Sequence, residues 1–460
     1  MSIPQQGGGP IESRADLASY LESGCKPREQ WRIGTEHEKF GYCKDTLKPL
    51  PYAGERSVYA ILKGLHEQFG WLPLHEGDHL IGLKKAGATV SLEPGGQLEL
   101  SGAPLETIHQ TCEETNQHLA EVRSVADRIG VGYIGLGITP DWSREEIPVM
   151  PKGRYGIMRR YMQTVGTHGL DMMFRSCTVQ VNLDFASEAH MAKMLRVAFA
   201  LQPVATALFA NSPFVDGAPS GELSYRARVW HDVDADRTGI LDFAFEEGFG
   251  FDRWVDYALD VPMYFVYRPG LSPETGGYVD ASGQSFRDFL DGKLPALPGE
   301  KPTLSDWADH LTTIFPEARL KKFIEMRGAD GGPWRRICAL PAFWVGLTYD
   351  DSALDAAWDQ VKGWTQEQRV SLRRDAARHG IRAEIGGESV RDIAARLLDI
   401  AEGGLKARAK SGGFDADETH FLNELKRVVE SGETAADELL RRYRDEWNGS
   451  FEPLYREYSY

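Results

Sequence analysis

Cysteine and positive charge are scarce in this sequence. Its 460 residues include five cysteines, none in a CxxC pair, so neither a disulfide framework nor a zinc site is predicted. Lys and Arg number 52 against 68 Asp and Glu, which gives a net charge of −16. This balance argues against nucleic-acid binding, because a phosphate backbone is attracted to basic surface. Residues 1–10, MSIPQQGGGP, lack the basic and apolar parts of a targeting segment, and we expect a cytoplasmic protein.

Nucleotide-binding signatures and long apolar runs are also missing. Neither GxGxxG nor GxxxxGK[ST] occurs, so Rossmann and P-loop folds lose their main support. The longest uncharged run, VAFALQPVATALFANSPFV between Arg196 and Asp216, contains Gln202, Pro203 and Asn211. These residues are unfavourable at a bilayer centre. We therefore predict a buried core helix there and no membrane association.

The apolar periodicity predicts an α+β protein with a largely antiparallel sheet. Helices are expected at 104–129, 187–210, 366–379, 389–403 and 434–447, and strands at 33–42, 89–100, 133–136, 177–184 and 323–327. The segment 266–284 is rich in Gly, Pro and Ser and is predicted to be a loop. We expect an N-terminal extension (1–30), a catalytic core of sheet and helices (31–350), and a C-terminal helical region packed on the core (351–460).

Acidic side chains gather on one face of the predicted strands, since residues two apart on a strand share a face. If the strands form one sheet, that face carries Glu36, Glu38, Glu93, Glu99, Thr178, Gln180, Asn182 and Glu325. It could simply be solvated, as outer faces of antiparallel sheets often are. However, two carboxylates about 4 Å apart repel by about 4 kcal/mol at an effective dielectric constant near 20. Clustered carboxylates are ligands for Mg²⁺ or Mn²⁺, which favours a metal site.

Basic clusters accompany these acids. Arg327 is expected on the same strand face as Glu325, and Arg binds phosphate or carboxylate through two parallel hydrogen bonds. Other basic residues occur in three short segments and could equally form surface salt bridges: Lys152, Arg154, Arg159 and Arg160; Arg226, Arg228 and Arg237; Arg335 and Arg336.

Several long motifs that contain these residues resemble the plant-type glutamate–cysteine ligases, a group that includes proteobacterial members. They include GTEHEKFGY, SLEPGGQLELSGAP, MPKGRYGIMRRYM, TVQVNLDF and TIFPEARLKKFIEMRGADGGPWRR. The resemblance implies a glutamine synthetase-like carboxylate–amine ligase fold, in which a curved antiparallel sheet forms a funnel with helices outside. It also implies that ATP phosphorylates the γ-carboxyl of glutamate and that the amine of cysteine attacks it, giving γ-glutamylcysteine.

The resemblance also implies roles for individual residues. The metal ligands would be Glu36, Glu38, Glu93, Glu99, Glu325 and, where some relatives have a histidine, Gln180. Arg327 and Glu325 would be catalytic, with Arg327 touching the γ-phosphate. Lys152, Arg154 and Arg335 would bind nucleotide as well. The substrate-binding residues would be Asn182, Thr178, Trp334 and one of Arg226 or Arg228.

Two further expectations follow from the likeness to the plant enzymes. Cys112 and Cys338 match one of the two disulfides that control those enzymes, whereas Ala281 and Ala296 stand where the other is expected. Cys112 and Cys338 could form a disulfide, but we expect two buried, reduced thiols. We also expect the protein to be a monomer of bacterial origin. Two alternatives stay open: a γ-glutamyl ligase with another amine substrate, for example in ergothioneine synthesis, and a catalytically silent redox-sensing or scaffold protein.

Overall fold

Nine strands form one open sheet in the computed structural model, which describes residues 4–272, 275–414 and 416–460. The strands are β1 (Ile33–Cys43), β2 (Leu72–Glu76), β3 (His79–Lys85), β4 (Ala88–Leu92), β5 (Leu98–Ser101), β6 (Val131–Ile134), β7 (Thr178–Leu183), β8 (Ala318–Leu320) and β9 (Ile324–Asp330). Their order is β8-β9-β7-β1-β5-β4-β3-β2, and β6 pairs with the far end of β1. Every pairing is antiparallel, as predicted.

Helices pack around this sheet. They are α1 (Arg14–Glu22), α2 (Val58–Phe69), α3 (Ile108–Arg128), α4 (Gly153–Val165), α5 (Gly169–Arg175), α6 (Glu188–Leu208), α7 (Tyr225–Val229), α8 (Phe251–Asp260), α9 (Phe286–Leu290), α10 (Leu304–Leu311), α11 (Trp334–Thr348), α12 (Asp351–Val361), α13 (Gln366–His379), α14 (Val390–Gly412), α15 (Asn423–Ser431), α16 (Ala435–Asp445) and α17 (Glu452–Glu457). Within the described ranges, none of them is long and apolar enough to cross a membrane.

The two faces of the sheet differ as the alternation of residues predicts. On β7, Val179, Val181 and Leu183 are fully buried in the main apolar core, which α6 and α11 share. The intervening Thr178 and Gln180 therefore belong to the opposite, polar face. Burial of the apolar face fixes the register, because a slip of one residue would move every side chain to the wrong side.

Most of the predicted helices are confirmed, with ends that local capping explains. The helix predicted at 104–129 begins only at Ile108, because Thr107 and Gln110 cap it. The Thr107 hydroxyl accepts a hydrogen bond from the Gln110 main-chain N–H, and the Gln110 side chain accepts one from the Thr107 main-chain N–H. The uncharged run after Arg196 lies in the buried helix α6, which Ser187 caps. The helix predicted at 389–403 continues to Gly412, where Gly413 ends it with a positive φ.

The segment 266–284 is only partly a loop. Phe265–Tyr267 pairs with Tyr278–Asp280 as a short antiparallel ribbon, which the glycine and proline content concealed. Pro273 and Glu274 lie outside the described residues. The predicted boundary near residue 350 falls between α11 and α12, and the division into three regions stays a prediction.

Candidate active site

The acidic face converges where β1 meets its two neighbours. Glu36 lies opposite Gln180 on β7, and Glu38 lies opposite Glu99 on β5. These four side chains line one pocket together with Glu93, which follows β4. The prediction that separate strands bring these acids to one place is confirmed, because the strands form a single sheet in the register that the alternation requires.

Three of the carboxylates, Glu38, Glu93 and Glu99, are here called the acid cluster. Burial raises the pKa of Glu38 well above its ordinary value, and the nearby charges of Glu93 and Glu99 raise it further. Burial also raises the pKa of Glu99. The Ser101 and Ser91 hydroxyls donate to Glu99 at 2.5 and 3.2 Å. These carboxylates repel one another, and an added cation would relieve that repulsion.

The chemistry of the acid cluster fits a hard divalent cation, since carboxylate oxygens are the ligands such ions prefer. In the part of the chain that the structure describes, however, no three acidic, histidine or cysteine side chains converge closely enough to hold an ion as they stand. The predicted metal ligands therefore stay a prediction.

Glu325 is surrounded by cations. Its side chain is fully buried, and its two oxygens accept from Arg319 Nη2 at 2.8 and 2.9 Å. Lys321 Nζ lies 2.8 Å from Glu325 Oε2, and Arg327 contacts Oε1. Burial acts to raise the pKa of Glu325, but these three cations outweigh it and hold the pKa well below its ordinary value. We call Arg319, Lys321 and Arg327 the cation cluster. Glu325 is its counter-ion in this structure.

Arg327 connects the cation cluster to the pocket. Its Nη1 donates to the Gln180 side-chain oxygen at 2.8 Å, so that oxygen is already engaged. Its guanidinium carbon lies 5.9 Å from the centre of the Trp230 ring. Arg226 Nη2 donates to the Arg327 main-chain oxygen at 3.1 Å, and both arginines line the pocket. The geometry therefore presents two guanidinium groups beside the acids.

Some predicted substrate and nucleotide residues line this pocket and others do not. Thr178, Arg154 and Arg226 are among the lining residues. Arg228 is exposed on the short helix α7, so Arg226 is the better of the two predicted alternatives. Asn182 does not line the pocket, and its side chain donates to Glu36 at 2.7 Å.

Trp334 and Arg335 are both exposed and do not line this pocket, and their predicted roles in binding substrate and nucleotide stay predictions. The strand β9 ends at Asp330, so the alternation that places Arg327 no longer applies when α11 begins at Trp334. Lys152 is buried and does not line this pocket; its Nζ donates to the Leu92 carbonyl at 2.8 Å and to the Tyr155 hydroxyl at 3.2 Å. Burial lowers the pKa of Lys152 to about 8.

The sequence reasoning missed Arg319 and Lys321. The two residues are two positions apart in the sequence R-L-K, shortly before Glu325. The turn between β8 and β9 reverses the chain, so that Arg319 pairs directly with Glu325. The same alternation that located the acids could have found this pair. The pocket wall also includes Tyr155, Trp230 and Phe315. Aromatic residues of this kind carry no distinguishing pattern in the sequence.

Cys112 on α3 and Cys338 on α11 are joined by a disulfide, with Cα atoms 5.6 Å apart. The expectation that both are reduced is therefore wrong. The two helices pack side by side and place the Cα atoms within the usual range for a disulfide. Cys25, Cys43 and Cys177 are free. The prediction of a monomer, which rests on the absent second pair, stays a prediction.

Comparison with known proteins agrees with this architecture. The model of glutamate–cysteine ligase family 2 matches residues 32–457. The chain belongs to glutamate–cysteine ligase family 2. It is 54% identical to chloroplastic glutamate–cysteine ligase B of rice (Oryza sativa subsp. japonica) over 97% of this chain and 87% of that protein. The chloroplastic glutamate–cysteine ligase of Arabidopsis thaliana is also 54% identical, over 97% of this chain and 83% of that protein.

One solved structure shares the fold of this chain. A crystal structure of a glutamate–cysteine ligase from Francisella tularensis, in complex with AMP, superposes with a TM-score of 0.56. It is 13% identical in sequence, and the match covers 93% of this chain and 87% of that one. The predicted carboxylate–amine ligase fold is thereby confirmed, with the sheet open rather than closed.

The predicted cytoplasmic location is contradicted by these relatives. The ligases of rice, tomato (Solanum lycopersicum) and Arabidopsis thaliana are all named chloroplastic, which points to a plastid. The prediction failed because cysteine content and the composition of ten residues do not encode a compartment.

Proposed function

We propose that this protein is an ATP-dependent glutamate–cysteine ligase. It joins the γ-carboxyl of glutamate to the amine of cysteine, and gives γ-glutamylcysteine, ADP and phosphate, the first step of glutathione synthesis. The observation that carries this proposal is the identity of 53–54% over 97% of the chain to proteins named glutamate–cysteine ligases. The pocket supports it, because acidic and guanidinium groups lie together there.

The reaction explains why both kinds of charge are needed. A carboxylate is a poor electrophile, so the γ-phosphoryl group of ATP is first transferred to it, and phosphate then leaves when the amine attacks. Arg327 is suitably placed to stabilise the transferring phosphoryl group, because its guanidinium lies in the pocket beside the acids. Arg226 would bind the α-carboxylate of glutamate, and Arg154 would contact the nucleotide phosphates.

A divalent cation, for which we propose Mg²⁺ with Mn²⁺ as a substitute, completes the site. Glu36 and the acid cluster would hold it. The two remaining predicted ligands, Gln180 and Glu325, lie beside the cation cluster. When bound, such an ion neutralises phosphate charge. Burial raises the pKa of Glu38 and of Glu99, and repulsion between neighbouring carboxylates raises it further. A bound cation would relieve this repulsion, which supports the assignment.

The proposal is tested by ADP release from ATP, measured with glutamate, cysteine and Mg²⁺ present and with each omitted in turn. We expect turnover to require all three. A panel of other amines in place of cysteine separates this activity from a ligase of broader scope, which would accept several equally well. Unchanged ADP release in Glu36→Gln and Arg327→Ala would contradict the assigned site. No release under any condition would favour the silent redox-sensing or scaffold protein.

A further inference from the structure

A buried carboxylate, Asp330, ends the strand that carries Arg327. Asp330 is the last residue of β9 and does not line the pocket, so the proposed reaction gives it no role. It accepts hydrogen bonds from two serine hydroxyls and one main-chain N–H: Ser212 Oγ at 2.7 Å, Ser224 Oγ at 2.8 Å and Asn211 N at 2.8 Å. Burial raises the pKa of Asp330, whereas these three donors favour its ionised form.

Both serines that donate to Asp330 also hold the first turn of α7. Ser212 Oγ accepts the Arg226 main-chain N–H at 3.1 Å, and Ser224 Oγ accepts the Ala227 main-chain N–H at 3.1 Å. A hydroxyl has one proton to donate and two lone pairs with which it accepts. Because the carboxylate takes the proton of each serine, the lone pairs of both hydroxyls are free to face these amides. Asp330 therefore orients the groups that begin α7, although it belongs to another element.

The helix α7 places Arg226 in the pocket. The Arg226 side chain is buried and lines the pocket, and its Nη2 donates to the Arg327 main-chain oxygen. Its Nε has no hydrogen-bond partner within the described part of the chain, so the guanidinium keeps donor capacity for a ligand. A helix of only five residues is not stable by itself. The position of Arg226 therefore depends on the contacts that hold the first turn of α7.

We propose that Asp330 is a positioning residue, which acts through the two serine hydroxyls and holds Arg226 in place to bind the α-carboxylate of glutamate. This inference rests on the proposed function, which assigns that carboxylate to Arg226. Arg327 precedes Asp330 by three residues on β9, so one strand places both guanidinium groups of the pocket. The carboxylate is closely confined, since a Cβ added at Gly137 would lie 2.5 Å from Asp330 Cγ.

Asp330→Asn tests the proposal with almost no change in side-chain size. One end of the amide is an NH₂ group, which cannot accept a hydrogen bond from a serine hydroxyl. We expect the amides of Tyr225–Val229 to exchange with deuterium about tenfold faster than in the wild type, measured by mass spectrometry. Asp184→Asn is the matched control and should leave this exchange unchanged, because Asp184 is a buried carboxylate that binds Lys26 and the Arg32 N–H and does not line the pocket. Unchanged exchange of α7 in Asp330→Asn would refute the proposal.

Steady-state kinetics separate positioning from a general structural effect. In Asp330→Asn we expect the KM of glutamate to increase about tenfold and the KM of ATP to stay unchanged. In an Arg226→Ala background the same substitution should raise the KM of glutamate no further, because its effect passes through Arg226. Equal increases in both KM values, or an undiminished effect in that background, would overturn the proposal.

The two measurements also distinguish this inference from the proposed function. If the wild-type protein released no ADP with glutamate and cysteine, the proposed function would fail, and with it the substrate assigned to Arg226. Deuterium exchange does not require activity, so it would still decide whether Asp330 holds α7.

Discussion

Replacement of Arg327 by lysine tests the proposed transfer site most directly. The lysine keeps the positive charge but has a single ammonium in place of the planar fork that contacts Gln180 and Glu325. Loss of one oriented donor to a developing charge typically lowers kcat by about 10²–10³-fold, or about 3–4 kcal/mol. We expect a loss of this size in ADP release at saturating substrates. The fold should survive, because Arg319 and Lys321 still neutralise Glu325.

The assay for Arg327→Lys is ADP release coupled to NADH oxidation, with the KM of glutamate, cysteine and ATP measured separately. The decrease should fall mainly on kcat, since an interaction made in the transition state is removed. Arg287→Lys is the matched control, because Arg287 pairs with Asp260 at the surface and does not line the pocket. A kcat within threefold of the wild type would refute the role given to Arg327.

Three predictions concern stability. Arg319→Met removes one of the cations around buried Glu325 and should lower the free energy of unfolding by about 3 kcal/mol in urea titrations; a change below 1 kcal/mol would contradict the importance of the pair. Reduction of Cys112–Cys338, whose residues are 226 apart, should destabilise the protein by up to about 5 kcal/mol, and the double serine variant should not respond to reductant. Burial lowers the pKa of His310 to about 4. As pH falls, the His310 imidazole is therefore protonated at a higher pH in the unfolded chain than in the folded protein. The free energy of unfolding should fall as pH decreases from about 6.5 to 4, and less steeply in His310→Gln.

The polar face of the sheet could be predicted because one physical rule governs it. Val179, Val181 and Leu183 must be buried, so Gln180 is forced to the other side, and the pairing of Glu36 with Gln180 brings the acids of β1 to that side as well. Strand alternation therefore located the acids and Arg327 without any knowledge of the chain's path. It did not extend to α11, where side chains follow the helical repeat instead.

The remaining parts of the site depend on contacts that are distant in sequence. Tyr155 and Trp230 reach the pocket from α4 and from the residue after α7, and their positions depend on how those helices pack. The disulfide likewise depends on the packing of α3 against α11. Sequence periodicity reports which side of an element is buried, but not which other element covers it.

The separation of charge within one pocket gives the strongest physical argument for its ligand. The acid cluster and two members of the cation cluster, Arg319 and Arg327, line the same pocket, and Arg327 donates to Gln180 there. A purely anionic ligand would be repelled by the acid cluster, whereas a divalent ion alone would leave the guanidinium groups of Arg319 and Arg327 in the pocket without an anionic ligand. A polyphosphate that carries its own cation satisfies both clusters, since the ion faces carboxylates and the phosphate faces guanidinium groups.

Nucleotide and divalent cation should therefore bind with positive coupling, so calorimetric titration of ATP should show an affinity at least tenfold weaker without the cation. Equal affinities would show that the two clusters act independently.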